Sequence, residues 1–112
     1  MPNSIPSNRR AQVRSRARDR CERCGSPTNA GQWHHRRRRG VKEGHYQHCA
    51  CNGVWLCGIC HTDVHSRNTE ARQTGFIVNQ FVATPGDQLV QTYRGPAYLT
   101  CDGKYQFAET EK

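Results

Sequence analysis

Two Cys-x-x-Cys pairs, Cys21/Cys24 and Cys57/Cys60, constrain the fold of this 112-residue chain more than any other feature. Four thiolates in two such pairs form a closed tetrahedral zinc site, which stabilises a fold and leaves no open position for chemistry. The chain needs a cross-link of this kind, because it is short and only 34% hydrophobic. Since 32 residues separate the pairs, we expect a structural Zn²⁺ site with an inserted unit between its two halves.

Two other uses of paired cysteines compete with zinc. A thioredoxin-like dithiol needs only one Cys-x-x-Cys pair and lies in a βαβ pattern that this chain lacks. The segment "CGICH" matches the haem-attachment signature, but it has no signal peptide before it and no internal methionine as a second axial ligand. Zinc remains the favoured interpretation.

The N-terminal sequence has no apolar stretch of the kind found in secretion signals, and no apolar run approaches the ~20 residues of a membrane span. We therefore expect a cytoplasmic protein that makes no membrane contact. In a reducing compartment, an odd set of seven cysteines favours metal ligands over disulfides.

Positive charge is concentrated in one part of the chain. Residues 9–39 hold eleven of the fourteen arginines against only Asp19 and Glu22, which is the pattern expected of a protein that binds a phosphate backbone. A solvated basic tail is the alternative for the first part of this block. The predicted DNA-binding residues are Arg14, Arg16, Arg18, Arg36, Arg37, Arg38 and Arg39.

The residue pattern predicts a small α+β fold. A basic N-terminal arm (1–20) is expected to be disordered over residues 1–8, and residues 9–20 could form a short helix. A strand is expected near Gln32–Arg36, a second at "VWLC", and one helix through "GICHTDVHSRNTEARQT" that ends at Gly75. Strand-like segments follow at "FIVNQFV", "LVQTY" and "AYLTCDGKYQF", the last with an Asp-Gly hairpin turn.

Histidines form a second cluster of chemically active residues. His61 and His65 are four residues apart on the predicted helix, so they share a face and can bind one ion, although a solvated helix face is an equally good interpretation of the pair alone. His34 and His35 adjoin the four arginines in "WHHRRRRG". Because neighbouring side chains of a strand point in opposite directions, these two histidines need not compete for one ion.

These motifs occur in a fixed order: "HHR" at 34–36, "NGVWLCGICH" at 52–61, and His65, all framed by the cysteine pairs. In this combination the chain resembles the HNH endonuclease family over about half its length, from Cys21 to about Val78. It is most similar to the small HNH proteins of tailed bacteriophages, including the "EARQTGFIV" that follows. The resemblance implies a ββα-metal core at 21–75, stapled by the four-cysteine zinc site, with a strand-like C-terminal extension at 76–112.

The resemblance also implies a role for each matching residue. His35 would be the general base, and Asn52 would hold the loop that keeps this base in place. The implied ligands of a catalytic divalent metal are His34, His61 and His65, and His61 is also counted with the catalytic residues. A neutral imidazole with a reference pKa near ~6.5 is chemically suited to take a proton from water.

The implied function is hydrolysis of phosphodiester bonds in double-stranded DNA, by nicking or double-strand cleavage, leaving 5′-phosphate and 3′-hydroxyl ends. The phage likeness adds an expected link to terminase subunits and DNA packaging. A non-catalytic zinc-ribbon DNA-binding module is the alternative, in which the histidines take no part in chemistry.

Several residues depart from the family pattern or exceed it. His34 stands where many members have aspartate, so the catalytic metal could be Mg²⁺, Mn²⁺, Ni²⁺ or Zn²⁺, with three imidazoles favouring a transition metal. Cys49 and Cys51 in "HCAC" could replace one cysteine pair as zinc ligands, although a Cys-x-x-Cys turn before a helix favours Cys57/Cys60. No role is assigned to His45, His48 or Cys101.

Overall fold

Two antiparallel strands and the helix after them lie at the centre of the computed structural model, which describes residues 5–28, 30–38, 40 and 46–108. The helices are α1 (Ser7–Ala17), α2 (Gly58–Ser66) and α3 (Asn68–Thr74). The strands are β1 (Gln32–His35), β2 (Gly53–Leu56), β3 (Val90–Thr92), β4 (Gly95–Leu99) and β5 (Tyr105–Phe107), and short 3₁₀ turns lie at Ala50–Asn52 and Pro85–Asp87. A small α+β fold is confirmed.

Strands β1 and β2 pair with Trp33 opposite Trp55 and His34 opposite Val54. Both strands end one residue earlier than predicted, at His35 and Leu56 rather than at Arg36 and Cys57. Cys57 does not continue β2; it caps the N-terminus of α2, where its Sγ accepts a hydrogen bond from the backbone N–H of Cys60. The chain therefore turns directly from strand to helix at a cysteine pair.

The single helix predicted from residue 58 to 74 is wrong at one position. The backbone of Arg67 leaves the helical region, with φ −108° and ψ 64°, and separates α2 from α3. The predicted end is confirmed, because Gly75 has φ 88°. A side chain at this glycine would collide with the backbone of Leu89.

Helix α1 packs onto the central strands, so the N-terminal segment is part of the folded unit. Val13 and Ala17 form a second core cluster with both tryptophans, Trp33 and Trp55. The prediction of a short helix is confirmed for residues 9–17, but the helix ends at Ala17 rather than at residue 20. The expected disorder of residues 1–8 is wrong for positions 7 and 8, which are helical. Residues 1–4 lie outside the described part of the chain.

The C-terminal strands share the main core with the central unit. Val90 and Leu99 pack in one cluster with Val54, Leu56 and Phe76. Strands β3, β4 and β5 form a separate antiparallel sheet in that order, and Gly103, with φ 82°, lies in the predicted hairpin turn. The cores of residues 21–75 and 76–108 are thus continuous.

The strand predicted at "FIVNQFV" is absent from the described structure. Phe76 is buried in the core while Phe81 is 84% exposed, and the backbone N–H of Val78 donates to the carbonyl of Arg36. The segment has no regular structure and lies beside the residues that leave β1. Its apolar side chains are divided between core and solvent. None of the helices in the described ranges is long and apolar enough to span a membrane.

Candidate metal centre

The four paired cysteines converge on one point. Their sulfur atoms all lie within 4.8 Å of one another, and the backbone N–H groups of Cys24 and Cys60 point at the sulfurs of Cys21 and Cys57, each at 3.5 Å. This geometry fits the donor set of a structural zinc ion. The four-cysteine group predicted from the spacing is therefore able to hold a metal ion.

The thiols of this group differ in acidity. Burial raises the pKa of Cys24, but hydrogen bonds from the side chain and backbone of Ser26 outweigh it and lower the value to about 6. Burial raises the pKa of Cys60 to about 12 against the opposing effect of Arg23. Four sulfurs this close cannot all ionise without a cation, and a bound Zn²⁺ would remove the remaining protons.

Three histidines form a second group. His34 comes from β1, and His61 and His65 come from successive turns of α2; their ligand nitrogens lie within 4.8 Å of one another. The rings of His34 and His61 are 5.5 Å apart, and those of His34 and His65 are 5.4 Å apart. The helix spacing thus places two imidazoles opposite a third from the strand.

Hydrogen bonds at the outer nitrogens orient two of these rings. Nε2 of His34 donates to the carbonyl of Phe76 at 2.7 Å, which leaves Nδ1 as its ligand atom. Nδ1 of His61 donates to Oε1 of Gln32, so its Nε2 faces Nε2 of His65 at 3.1 Å. An oxygen partner on the far nitrogen is the usual way that proteins hold a metal-binding imidazole. The sequence did not identify Gln32 or Phe76 as such partners.

Burial favours the neutral form of two histidines in this group, His34 and His61. It lowers the pKa of His34 to about 4, and the nearby His61, His65 and Arg36 lower it further, while the Phe76 carbonyl opposes the shift. Burial and His65 also lower the pKa of His61. At neutral pH both imidazoles therefore offer lone pairs to a metal without first losing a proton.

His35 lies on the opposite face of β1 from His34. Its Nε2 is 3.0 Å from Nδ1 of His48, and its ring stacks at a tilt 5.7 Å from Trp33. His48 is 2% exposed and had no role assigned from sequence. The two histidines are 13 positions apart in the chain, so no local spacing pattern could have linked them.

Asn52 ties together the two ends of the loop that joins the strands. Its Oδ1 accepts from the backbone N–H of Arg37 at 2.7 Å, and its Nδ2 donates to the carbonyls of Arg37 and Gln47. The side chain is fully buried. It thereby holds the backbone that leaves β1 immediately after His35.

The arginines predicted to bind DNA fall into two groups, and three of them require correction. Arg36 and Arg37 are each 1% exposed. Arg36 donates to four carbonyls, those of Gly75, Cys51, Pro85 and Gln88, and Arg37 donates to Val82 and Ala83. Their guanidinium groups bind backbone in this structure and are not available to phosphates.

Arg16 requires the same correction, since it forms a doubly hydrogen-bonded ion pair with the buried Glu22 at 2.7 and 2.8 Å. Arg14, Arg18 and Arg38 are exposed, which leaves them accessible to a phosphate backbone. Arg39 lies outside the described residues.

A cleft of about 470 Å³ opens beside the histidine group. It provides space next to two of the candidate metal ligands, His34 and His65, and next to His35. Its lining includes His34, His35, Arg38, His65, Asn68 and Arg72.

No family model, curated protein or solved structure matches this chain. Its chemistry is therefore inferred from the site alone.

Proposed function

We propose that this protein is a metal-dependent endonuclease of the HNH type that hydrolyses phosphodiester bonds in double-stranded DNA. One observation carries the proposal. Three imidazoles converge within 4.8 Å on one face of β1, while a fourth imidazole, that of His35, lies on the other face with its own histidine partner. A metal site next to a separate proton acceptor suits the hydrolysis of a phosphodiester.

The arrangement of elements supports the same proposal. An antiparallel strand pair followed by a helix carries His34, His35, His61 and His65, and the Asn52 hydrogen bonds tie the intervening loop. This is the order and geometry expected for a ββα-metal core, which we propose for residues 21–75.

His34, His61 and His65 would hold the catalytic divalent metal. When bound, such an ion polarises the scissile phosphate and stabilises the leaving 3′ oxygen. Three imidazole donors suit Ni²⁺, Zn²⁺ or Mn²⁺ better than Mg²⁺, which prefers oxygen ligands. The hydrogen bonds from His34 to Phe76 and from His61 to Gln32 keep the ligand nitrogens directed at the ion.

His35 would act as the general base. Its Nε2 lies within hydrogen-bond distance of Nδ1 of His48, and its ring would take the proton from the attacking water. His48 then sets the tautomer and the orientation of this ring. Asn52 keeps the adjoining backbone in place, so the base stays at a constant position relative to the metal ligands.

The positive charge of the chain, +8, supports DNA as the substrate. Arg38 lines the cleft, and Arg14 and Arg18 are exposed on or beside α1. Contacts of this kind neutralise phosphates without reading bases. Association with phage terminase subunits stays a prediction.

The test is cleavage of supercoiled plasmid by protein that retains its structural zinc, with Mg²⁺, Mn²⁺, Ni²⁺ and Zn²⁺ added separately. We expect relaxation or linearisation that depends on metal and falls by at least about a hundredfold in His35→Ala, because general-base catalysis contributes about 10²–10⁴-fold. His65→Ala should lose both activity and divalent-metal binding.

Ser66→Ala, an exposed change at the end of the same helix, is the matched control and should cut normally. DNA binding without cleavage under every metal would contradict the proposal. It would instead favour a zinc-ribbon DNA-binding module whose histidines are silent.

A further inference from the structure

We propose that Cys49, Cys51 and Cys101 bind a second zinc ion, distinct from both the four-cysteine group and the histidine group. Their three sulfur atoms lie within 4.8 Å of one another. Sulfur ligands at about 2.3 Å from a tetrahedral zinc are roughly 3.8 Å apart, so only a small closing of the three side chains is needed. The proposal does not depend on nuclease activity.

The three cysteines come from separate parts of the fold. Cys49 and Cys51 flank the start of the short turn at Ala50–Asn52, and Cys101 lies in the turn between β4 and β5. The Ala50–Asn52 turn packs against β4, since Cys51 and Leu99 belong to one core cluster. The packing brings the three sulfurs together across about 50 residues of sequence.

The surroundings of the sulfurs suit a metal-thiolate site. Cys49 and Cys51 are 5% and 0% exposed, and the backbone N–H of Gly86 hydrogen-bonds the thiol of Cys51, as backbone N–H groups do in the four-cysteine group. The exposed Cys101 lets solvent reach the cluster, and a water molecule would complete the tetrahedron.

The second zinc would give the C-terminal hairpin a structural role. It would join the turn between β4 and β5 to the segment that leads into Asn52 and β2. All seven cysteines of the chain would then be ligands, four in one site and three in the other, which accounts for their odd number.

The experiment is a titration of reduced, metal-free full-length protein with Co²⁺, which reports sulfur ligands through a near-ultraviolet charge-transfer band that nitrogen ligands do not produce. The histidine group is therefore silent in this band. We expect the band to grow until two equivalents are bound. In Cys101→Ser the band should saturate after one equivalent of Co²⁺, at about four-sevenths of the wild-type intensity. The zinc content of this variant should be one ion per chain lower than that of the wild type.

Gln106→Ser, an exposed change in β5, is the matched control and should behave as wild type. Because the titration of the wild type counts both sites by itself, the test does not depend on Cys101→Ser folding. Saturation of the wild-type band at one equivalent would overturn the proposal. A count of reactive thiols in the denatured, unreduced wild type would also overturn it if the count were two below the expected seven, because that result would show a disulfide.

Discussion

Nε2 of His35 lies 3.0 Å from Nδ1 of the buried His48, so one proton is shared between two imidazoles on the face of β1 opposite the metal ligands. This contact orients the ring of His35. It also makes His48 a positioning residue in the proposed reaction.

Replacing His48 should therefore slow cleavage without weakening DNA binding. We expect His48→Ala to lower the plasmid-cleavage rate by about 10- to 100-fold, the usual effect of removing the partner that orients a functional imidazole. His48→Asn, whose Oδ1 can still accept from Nε2 of His35, should recover part of the rate. An unchanged rate in His48→Ala, with metal content and fold preserved, would remove His48 from the mechanism.

Among the residues that the structure describes, the Arg16–Glu22 pair should be the ionic interaction most sensitive to substitution. Its side chains are 1% and 0% exposed, and Glu22 also accepts from the backbone N–H of Trp55 and from the hydroxyl of Tyr105. Glu22→Gln leaves a buried guanidinium without its counter-charge, and we expect the free energy of unfolding to fall by about 3–5 kcal/mol in urea titrations.

The exposed pair of Arg14 and Asp19 is the control for this prediction. Its side chains are 51% and 61% exposed, so Asp19→Asn should cost no more than about 1 kcal/mol. Equal losses in the two variants would mean that burial does not determine the strength of these pairs.

Arg36 and Arg38 should respond differently to substitution, although they are two residues apart. Arg36→Lys keeps the charge but cannot reach all four carbonyls, and buried acceptors left without a donor cost about 1–3 kcal/mol each. It should destabilise the protein while the salt dependence of DNA binding stays the same. Arg38→Gln should leave stability unchanged and reduce the slope of log affinity against log salt by about 0.9, as for one lost phosphate contact.

Zinc should protect Cys24 from alkylation. This thiol is exposed, and hydrogen bonds from Ser26 outweigh burial to lower its pKa to about 6, so it is mostly thiolate at pH 7 in the metal-free protein. We expect iodoacetamide to modify Cys24 first after zinc removal, ahead of the exposed Cys101, whose pKa is raised by burial and by Cys49. Mass spectrometry of tryptic peptides against time measures both rates; faster labelling of Cys101 would contradict this order.

When the histidine group holds no metal, the free energy of unfolding should decrease in mild acid, because the pKa of His34 is lower in the folded state than in the unfolded chain. Burial lowers the pKa of His34 to about 4 in the folded state, whereas the unfolded chain binds this proton near pH ~6.5. Between these values the unfolded state holds more protons, so the free energy of unfolding falls as pH decreases, by at most about 1.4 kcal/mol per pH unit. Urea unfolding at pH 7, 6 and 5 should show a weaker pH dependence in His34→Asn than in wild type, and parallel curves would contradict the assignment.

Local spacing predicted those features that depend on neighbours in the chain. The two cysteine turns, the shared face of His61 and His65, the helix end at Gly75 and the hairpin at Gly103 each follow from a few adjacent residues. The break at Arg67 was missed. The irregular path of residues 76–82 was also missed, because it depends on distant contacts such as the hydrogen bond from Val78 to Arg36 and the burial of Phe76 in the main core.

The sequence by itself determined which side chains could bind metal or carry charge, since donor type and short-range spacing are read directly from it. Only the tertiary structure decided which of them are accessible and what each one contacts. Arg36 binds carbonyls up to 52 residues away, and His34 is oriented by a carbonyl 42 residues away. Such contacts arise from burial in a common core, where most buried polar groups find a partner, and no periodicity in the chain records which partner that is.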